Sequence, residues 1–283
     1  MANIIDGKAT AASLRERMKI EVEDLVSRHG VKPSLAVILV GDNAASESYV
    51  KGKEAACKKA GIESTVVKLP ADCAAADLEA CIDALNADET VHGILLQLPI
   101  PKHLNADHFI NKIRSDKDVD GFTEANVAKL TIGKPHLVPC TPLGVMRLLT
   151  QYSLPVSGKH AVVVGRSQIV GRPMASLLLK DNATVTICHS KTADLKGMCK
   201  TADILIAAIG VPGMIDASYV KEGAVVIDVG ISKVDGIIKG DVDFASVEPI
   251  ASWITPVPGG VGPMTIACLL ENTLLCYRKF MGE

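Results

Sequence analysis

His160-Ala-Val-Val-Val164 runs through Gly165-Arg166-Ser167-Gln168-Ile169-Val170-Gly171-Arg172-Pro173 into an apolar helical pattern that reaches Lys180, and a second strand-forming run spans Thr184 to Cys188. Strand, glycine turn, helix and strand in that order make one βαβ unit. A strand that turns on glycine straight into a helix aims free backbone N–H groups and the positive helix end at one point, which suits a diphosphate. The loop departs from the G-x-G-x-x-G dinucleotide fingerprint: Ser167 replaces the middle glycine, and Gly165 and Gly171 stand one residue further apart. Taken alone it is equally compatible with an ordinary strand-to-helix turn of an α/β protein.

The end of the second strand adds to the argument. A site for NAD places Asp or Glu there to hold the ribose 2′-hydroxyl, whereas this chain has His189-Ser190-Lys191-Thr192. With Arg166 in the loop, that set of donors suits a 2′-phosphate, so NADP is the expected cofactor. The competing reading is a solvated polar turn.

The composition bounds the remaining choices. With 283 residues the chain is long enough for two domains, each with its own core. A net charge of −2, a pI near 6.4 and scattered lysines and arginines give no electrostatic footprint for nucleic acid. Mean hydropathy is high at +0.27, yet the uncharged stretch Ile204 to Ile215 is interrupted by Gly210, Pro212 and Gly213 and is shorter than the ~20 apolar residues a bilayer span needs. Met1-Ala-Asn-Ile-Ile-Asp6 has no basic region followed by an apolar core, so a cytoplasmic protein without a membrane segment is expected. The eight cysteines contain no C-x-x-C pair and the histidines no H-x-x-x-H spacing, which predicts buried free thiols and no metal.

Read in order, Leu14, Met18, Val22 and Leu25 recur at helical spacing between Gly7 and His29, before the strand Leu35 to Val40. A helix from about Ala45 to Ala60 with Gly61 as its stop, the strand Ser64 to Leu69, the helix Ala75 to Asn86 and the strand Gly93 to Gln97 follow. Thr141-Pro142 reads as an N-cap with proline at the first helical position, strands at Ile204 to Ala207 and Ala224 to Val229 continue the second half, and Met264 to Lys279 reads as a final helix. Such alternation predicts an α/β fold in two domains with mostly parallel sheets. The expected division is an N-terminal α/β catalytic domain of residues 1–140 plus 264–283 and a Rossmann-like NADP-binding domain of residues 141–263.

Ligands of open parallel sheets collect at the carboxyl ends of strands. After the strand Leu35 to Val40 come Tyr49 and Lys53, about one turn apart on one helix face. The strand at Gly93 ends in Gln97-Leu98-Pro99, and further on lie Lys117-Asp118-Val119-Asp120-Gly121 and Pro256-Val257-Pro258-Gly259-Gly260-Val261-Gly262-Pro263. Each alone has a plain structural reading: Tyr49 as a packed aromatic, Lys53 as a solvated helix lysine, Asp118 and Asp120 as turn residues.

Together with Ile5-Asp6-Gly7-Lys8 and Pro139-Cys140-Thr141-Pro142, these segments resemble the bifunctional methylenetetrahydrofolate dehydrogenase/methenyltetrahydrofolate cyclohydrolase family along nearly the whole chain. The resemblance implies a homodimer formed through the nucleotide domains, a folate substrate held between the domains, and NADP as hydride acceptor. It implies Lys53 as the catalytic lysine, Tyr49 stacking on the pterin, Gln97 orienting the lysine and Asp120 binding the pterin edge. It places cofactor contacts on Gly165, Arg166, Ser167, Ser190 and Ile231, and further substrate contacts on Pro258, Gly259 and Gly260. Two other classes share parts of this layout: a dehydrogenase of another small acid, and a non-catalytic nucleotide sensor. The first has no use for the Gln97-Leu98-Pro99 and Pro258-Gly259-Gly260 segments, the second none for Tyr49, Lys53, Gln97 and Asp120 together.

Overall fold

The computed structural model describes residues 1–283, the side chain of Ala45 excepted. In chain order the elements are β1 (Asn3–Ile4), α1 (Gly7–His29), β2 (Ser34–Val40), α2 (Ala44–Ala60), β3 (Glu63–Leu69), α3 (Ala75–Ala87), β4 (Gly93–Leu96), α4 (Ala106–Lys112), α5 (Glu124–Thr131) and α6 (Cys140–Gln151). They continue as β5 (His160–Val164), α7 (Gly171–Lys180), β6 (Thr184–Cys188), α8 (Leu195–Lys200), β7 (Ile204–Ala207), β8 (Val225–Asp228), β9 (Ser232–Val234), β10 (Ile237–Lys239), α9 (Phe244–Val247), β11 (Trp253–Ile254) and α10 (Val261–Phe280). The predicted α/β class holds. The strand-helix alternation is observed with ends that coincide or shift by no more than three residues; α6 starts at Cys140, so Pro142 lies inside its first turn, where a missing N–H costs nothing.

The chain divides into two compact units, one of Met1–Ala12, Leu130–Lys134 and Thr141–Thr265, the other of Ser13–Lys129, Pro135–Cys140 and Ile266–Glu283. The first holds a six-stranded sheet in the order β1-β11-β8-β7-β5-β6, every pair parallel. β5 sits inside that sheet with Val162, Val163 and Val164 buried, which is why its run is unbroken by polar residues. Val162, Val164, Leu205, Val226 and Ile254 share one core, each worth roughly 1.5–3 kcal/mol relative to exposure. β1 joins through Asn3 opposite Trp253 and Ile4 opposite Ile254.

The other unit holds a three-stranded parallel sheet, β3-β2-β4. Its core gathers Ile38, Leu78, Ile82, Ile94, Leu96 and Phe109. The caps that start and stop its helices explain their lengths. The Asn43 side chain accepts the Ser46 N–H at 3.1 Å to open α2, and Gly61, at φ +77°, closes it. α3 ends on an ammonium: the buried Lys117 amine donates to the carbonyls of Leu85, Asn86 and Asp88 at 3.1, 3.0 and 2.7 Å. The same segment extends the sheet, since Ile94 N–H donates to Lys117 O at 2.7 Å and Ile94 bridges Asp118 in parallel. That close approach requires Gly93, where an added Cβ would come 2.4 Å from Val119 Cγ1. Seven cysteines are buried, Cys81 is half-buried, and all eight are free thiols, as expected.

Candidate active site

The register of the small sheet brings the chemistry-bearing residues to one edge. Gln97 directly follows β4, its N–H held by Ile38 O at 2.9 Å, and Asp120 lies two residues past the parallel bridge at Asp118. The Lys53 amine, on α2, donates to Gln97 Oε1 at 2.9 Å. Gln97 Nε2 in turn donates to Leu98 O at 2.7 Å, which fixes the amide so that its carbonyl, not its NH₂, faces the lysine. The Leu98-Pro99 and Val257-Pro258 peptides are cis. Lys53 and Gln97 are both half-buried, while Tyr49, a turn earlier on α2, is 52% exposed and leaves its ring open to a ligand.

Asp120 is the unusual group of this edge. Burial pushes its carboxyl up to about 6, opposed by the nearby Lys53 ammonium, reinforced by the Asp118 carboxylate and opposed again by the Cys140 thiol. Among the described residues its one hydrogen-bond partner is that thiol, Sγ to Oδ1 at 3.8 Å, a weak bond. Asp118 is different: its Oδ2 accepts the Thr123 N–H at 2.8 Å and Asn126 Nδ2 at 2.9 Å, so it builds the turn that displays Asp120.

In the unit with the six-stranded sheet, Gly165 leaves β5 at φ +128°, and an added Cβ there would stand 2.1 Å from Ala208 O. No other residue fits the turn. Ser167 Oγ accepts the N–H groups of Val170 and Gly171 at 3.2 and 3.3 Å, just ahead of α7, leaving its own hydroxyl proton to donate. Arg166, Ser167, Ser190 and Lys191 are exposed, and the 189–192 turn is braced by His189 N–H to Thr192 Oγ1 at 2.9 Å and Lys191 N–H to His189 Nδ1 at 3.1 Å. Ile231, 50% exposed, follows β8. Tight glycine turn, helix start and cationic rim fit a phosphorylated dinucleotide, and the 189–192 turn after β6 contains no Asp or Glu. Pro258, Gly259 and Gly260 belong to this unit, where Gly259 O accepts the Lys8 N–H at 2.9 Å.

The family model described as tetrahydrofolate dehydrogenase/cyclohydrolase, catalytic domain, matches residues 5–120, and the one described as tetrahydrofolate dehydrogenase/cyclohydrolase, NAD(P)-binding domain, matches residues 139–281. The chain belongs to the tetrahydrofolate dehydrogenase/cyclohydrolase family. It is 52% identical over 283 residues to the bifunctional protein FolD of Maridesulfovibrio salexigens, with 99% of each chain covered. Among solved structures it is similar to the bifunctional enzyme FolD of Campylobacter jejuni, at 49% identity, TM-score 0.97 and 99% coverage of both chains. It is also similar to the Trypanosoma brucei methylenetetrahydrofolate dehydrogenase-cyclohydrolase complexed with NADP cofactor and inhibitor, at 39% identity and TM-score 0.95, covering 100% of this chain and 99% of that one.

Several residues that support this family's site in the present chain carry no motif. Asn272, fully buried on α10, donates Nδ2 to Val119 O at 2.7 Å and Val138 O at 2.8 Å, which ties the Asp120 turn to the segment carrying Cys140. Asp228, at the end of β8, accepts the N–H groups of Gly230, Asp241 and Val242 at 2.9, 3.0 and 2.9 Å. Burial pushes its carboxyl up to about 6 against those three bonds, helped by the Asp241 charge. An aspartate amid apolar strand residues and next to a Val-Gly turn was the one hint available in sequence. Among the described residues no group of three or more His, Cys, Asp or Glu could hold a metal ion, and no helix is long and apolar enough to cross a membrane.

Proposed function

We propose that this chain oxidises 5,10-methylenetetrahydrofolate to the 5,10-methenyl form with NADP⁺ and hydrolyses the methenyl form to 10-formyltetrahydrofolate. The observation that carries the reading is the 2.9 Å bond from Lys53 to a neutral, orientationally locked Gln97 carbonyl, in a chain of this family. The reading assigns folate chemistry to residues 1–140 with 264–283 and dinucleotide binding to 141–263.

Bound NADP⁺ supplies the hydride acceptor; the chain supplies position. Tyr49 offers a ring face on which the pterin stacks, and Asp120, ionised above pH 6, accepts the paired N–H donors of its amino-pyrimidine edge. Holding reacting carbons at near-attack distance is worth several kcal/mol without any strong base. Arg166, Ser167 and Ser190 offer donors to the dinucleotide phosphates, and Ile231 an apolar surface.

Hydrolysis makes a further demand, because water addition and C–N cleavage both move protons. The Lys53 amine takes one from the attacking water and returns one to the departing nitrogen. Gln97 orients that amine without adding a charge that would hold its proton, which a carboxylate at that distance would do.

Methylenetetrahydrofolate mixed with NADP⁺ or NAD⁺, with reduced cofactor and methenyl-folate followed separately, tests the whole reading. NADPH formed with transient or no methenyl-folate is expected. No reduced cofactor with either dinucleotide would overturn it. On the family resemblance we also read the protein as a cytoplasmic homodimer, closed two-fold assemblies being the commonest; a monomer mass by light scattering would refute the dimer.

A further inference from the structure

Two buried aspartates that the chemistry above does not use stand behind the dinucleotide face. Asp241, fully buried, accepts the N–H groups of Ile209 and Gly210 through one oxygen, Oδ2, at 2.6 and 3.0 Å. Those residues follow Ala208, whose carbonyl packs against Gly165 of the phosphate loop. Asp228, 3% exposed, uses both oxygens: Oδ1 accepts from Gly230 and Asp241, and Oδ2 from Val242. Gly230 immediately precedes Ile231. The backbone N–H of Asp241 is therefore held by Asp228 while its side chain holds the neighbouring loop. Asp241 Oδ1, also buried, has no hydrogen-bond partner among the described residues.

We infer that Asp228 and Asp241 form a relay of positioning residues that sets the two loops at the ends of β7 and β8 for the dinucleotide, and so governs cofactor affinity but not methenyl-folate hydrolysis. The inference rests on the function proposed above. It follows from geometry: each carboxylate grips backbone N–H groups of a loop next to a proposed cofactor contact, Gly165 on one side and Ile231 on the other. Neither side chain is exposed, so neither touches the cofactor itself.

The atom usage makes the same substitution give opposite results at the two positions. Asp241→Asn can keep its single working oxygen on Ile209 and Gly210 and place the NH₂ where Oδ1 stands unpartnered. Asp228→Asn must set an NH₂ against an N–H donor, because both oxygens are in use. NADPH dissociation constants by fluorescence titration, beside the rate of methenyl-folate hydrolysis, read this out. Asp228→Asn and Asp241→Ala should weaken NADPH by about tenfold, the scale of one charged hydrogen bond, at the parent hydrolysis rate, while Asp241→Asn binds as the parent does. Should Asp241→Ala not fold, the contrast between the two asparagine variants decides alone. Equal affinity in the two, or hydrolysis falling in step with affinity, overturns the relay. A parent that binds no NADPH sinks the functional reading and this inference with it, whereas a binding parent with unaffected variants sinks the inference alone.

Discussion

Replacing Asp120 by asparagine should make the protein more stable and less active, and the stability gain should depend on pH. Burial raises its carboxyl from 3.8 to about 6, and its one partner among the described residues is a thiol at 3.8 Å. A shift of roughly two pK units corresponds to ~3 kcal/mol held against the folded state once the carboxyl is ionised. Asp120 keeps some exposure, so solvent screens part of that and ~1–2 kcal/mol is the expected gain. The sign follows from the raised folded value: the parent carries no penalty below the unfolded carboxylate range, loses stability as pH rises through about 6, and is fully penalised above. Urea unfolding at pH 8 should therefore favour Asp120→Asn, and at pH 4 the two proteins should nearly coincide. At the same time the amide offers the pterin one acceptor and an unwanted donor pair, so the KM for methylenetetrahydrofolate should rise about 10–100-fold, from the ~1.5–3 kcal/mol of hydrogen bonds to charged groups. A variant less stable than the parent by the same amount at both pH values, or one with unchanged KM, would refute the reasoning.

Lys53→Met keeps the stem and deletes the amine, so hydrolysis of methenyl-folate should fall by the ~10²–10⁴ typical of a lost proton relay while NADP⁺ reduction stays measurable and methenyl-folate accumulates. Hydrolysis at the parent rate would move the relay elsewhere. Arg166→Ala should raise the KM for NADP⁺ by about tenfold or more and that for NAD⁺ far less, as a lost charged hydrogen bond to a 2′-phosphate requires; equal effects in steady-state kinetics would remove Arg166 from that role. Lys117→Met strands the three carbonyls at the end of α3 and should cost ~2–3 kcal/mol by urea unfolding with little change in either KM, a normal midpoint showing instead that water replaces the ammonium.

What could be read from sequence was what is local. The valine run of β5, the Gly165 turn and the start of α7 announce themselves because strand, turn and helix each impose their own residue types within a few positions. Lys53 and Gln97 lie in segments separated by two strands and a helix, and their resemblance to a known family, not their spacing, placed them together; the 2.9 Å bond is the structure's own contribution. The pairing of β1 with β11 involves two residues on each strand and joins positions about 250 apart, so no periodicity could signal it. Hairpin β9-β10 was missed because its short strands, Ser232–Val234 and Ile237–Lys239, lack a long alternating run. Asn272 and Asp241 escaped for a different reason: they act on backbone N–H and C=O groups, which every residue has, so their partners leave no trace in side-chain identity.

The contrast between Asp120 and Asp228 shows why a raised carboxylate does not by itself mark chemistry. Burial brings both to about 6. Asp228 receives three backbone N–H groups, every one within 3.0 Å, and its lone pairs are committed to holding the fold. Asp120 receives a thiol at 3.8 Å and faces the Lys53 edge with its acceptor capacity largely unspent. A buried acid that is satisfied by the protein positions other groups, whereas one that the protein leaves unsatisfied is a cost that only a ligand's donors can offset. By that reasoning Asp120, and not Asp228, is where the paired N–H groups of a pterin belong, and substrate should protect Asp120 from protonation where nothing bound to the folate side alters the titration of Asp228.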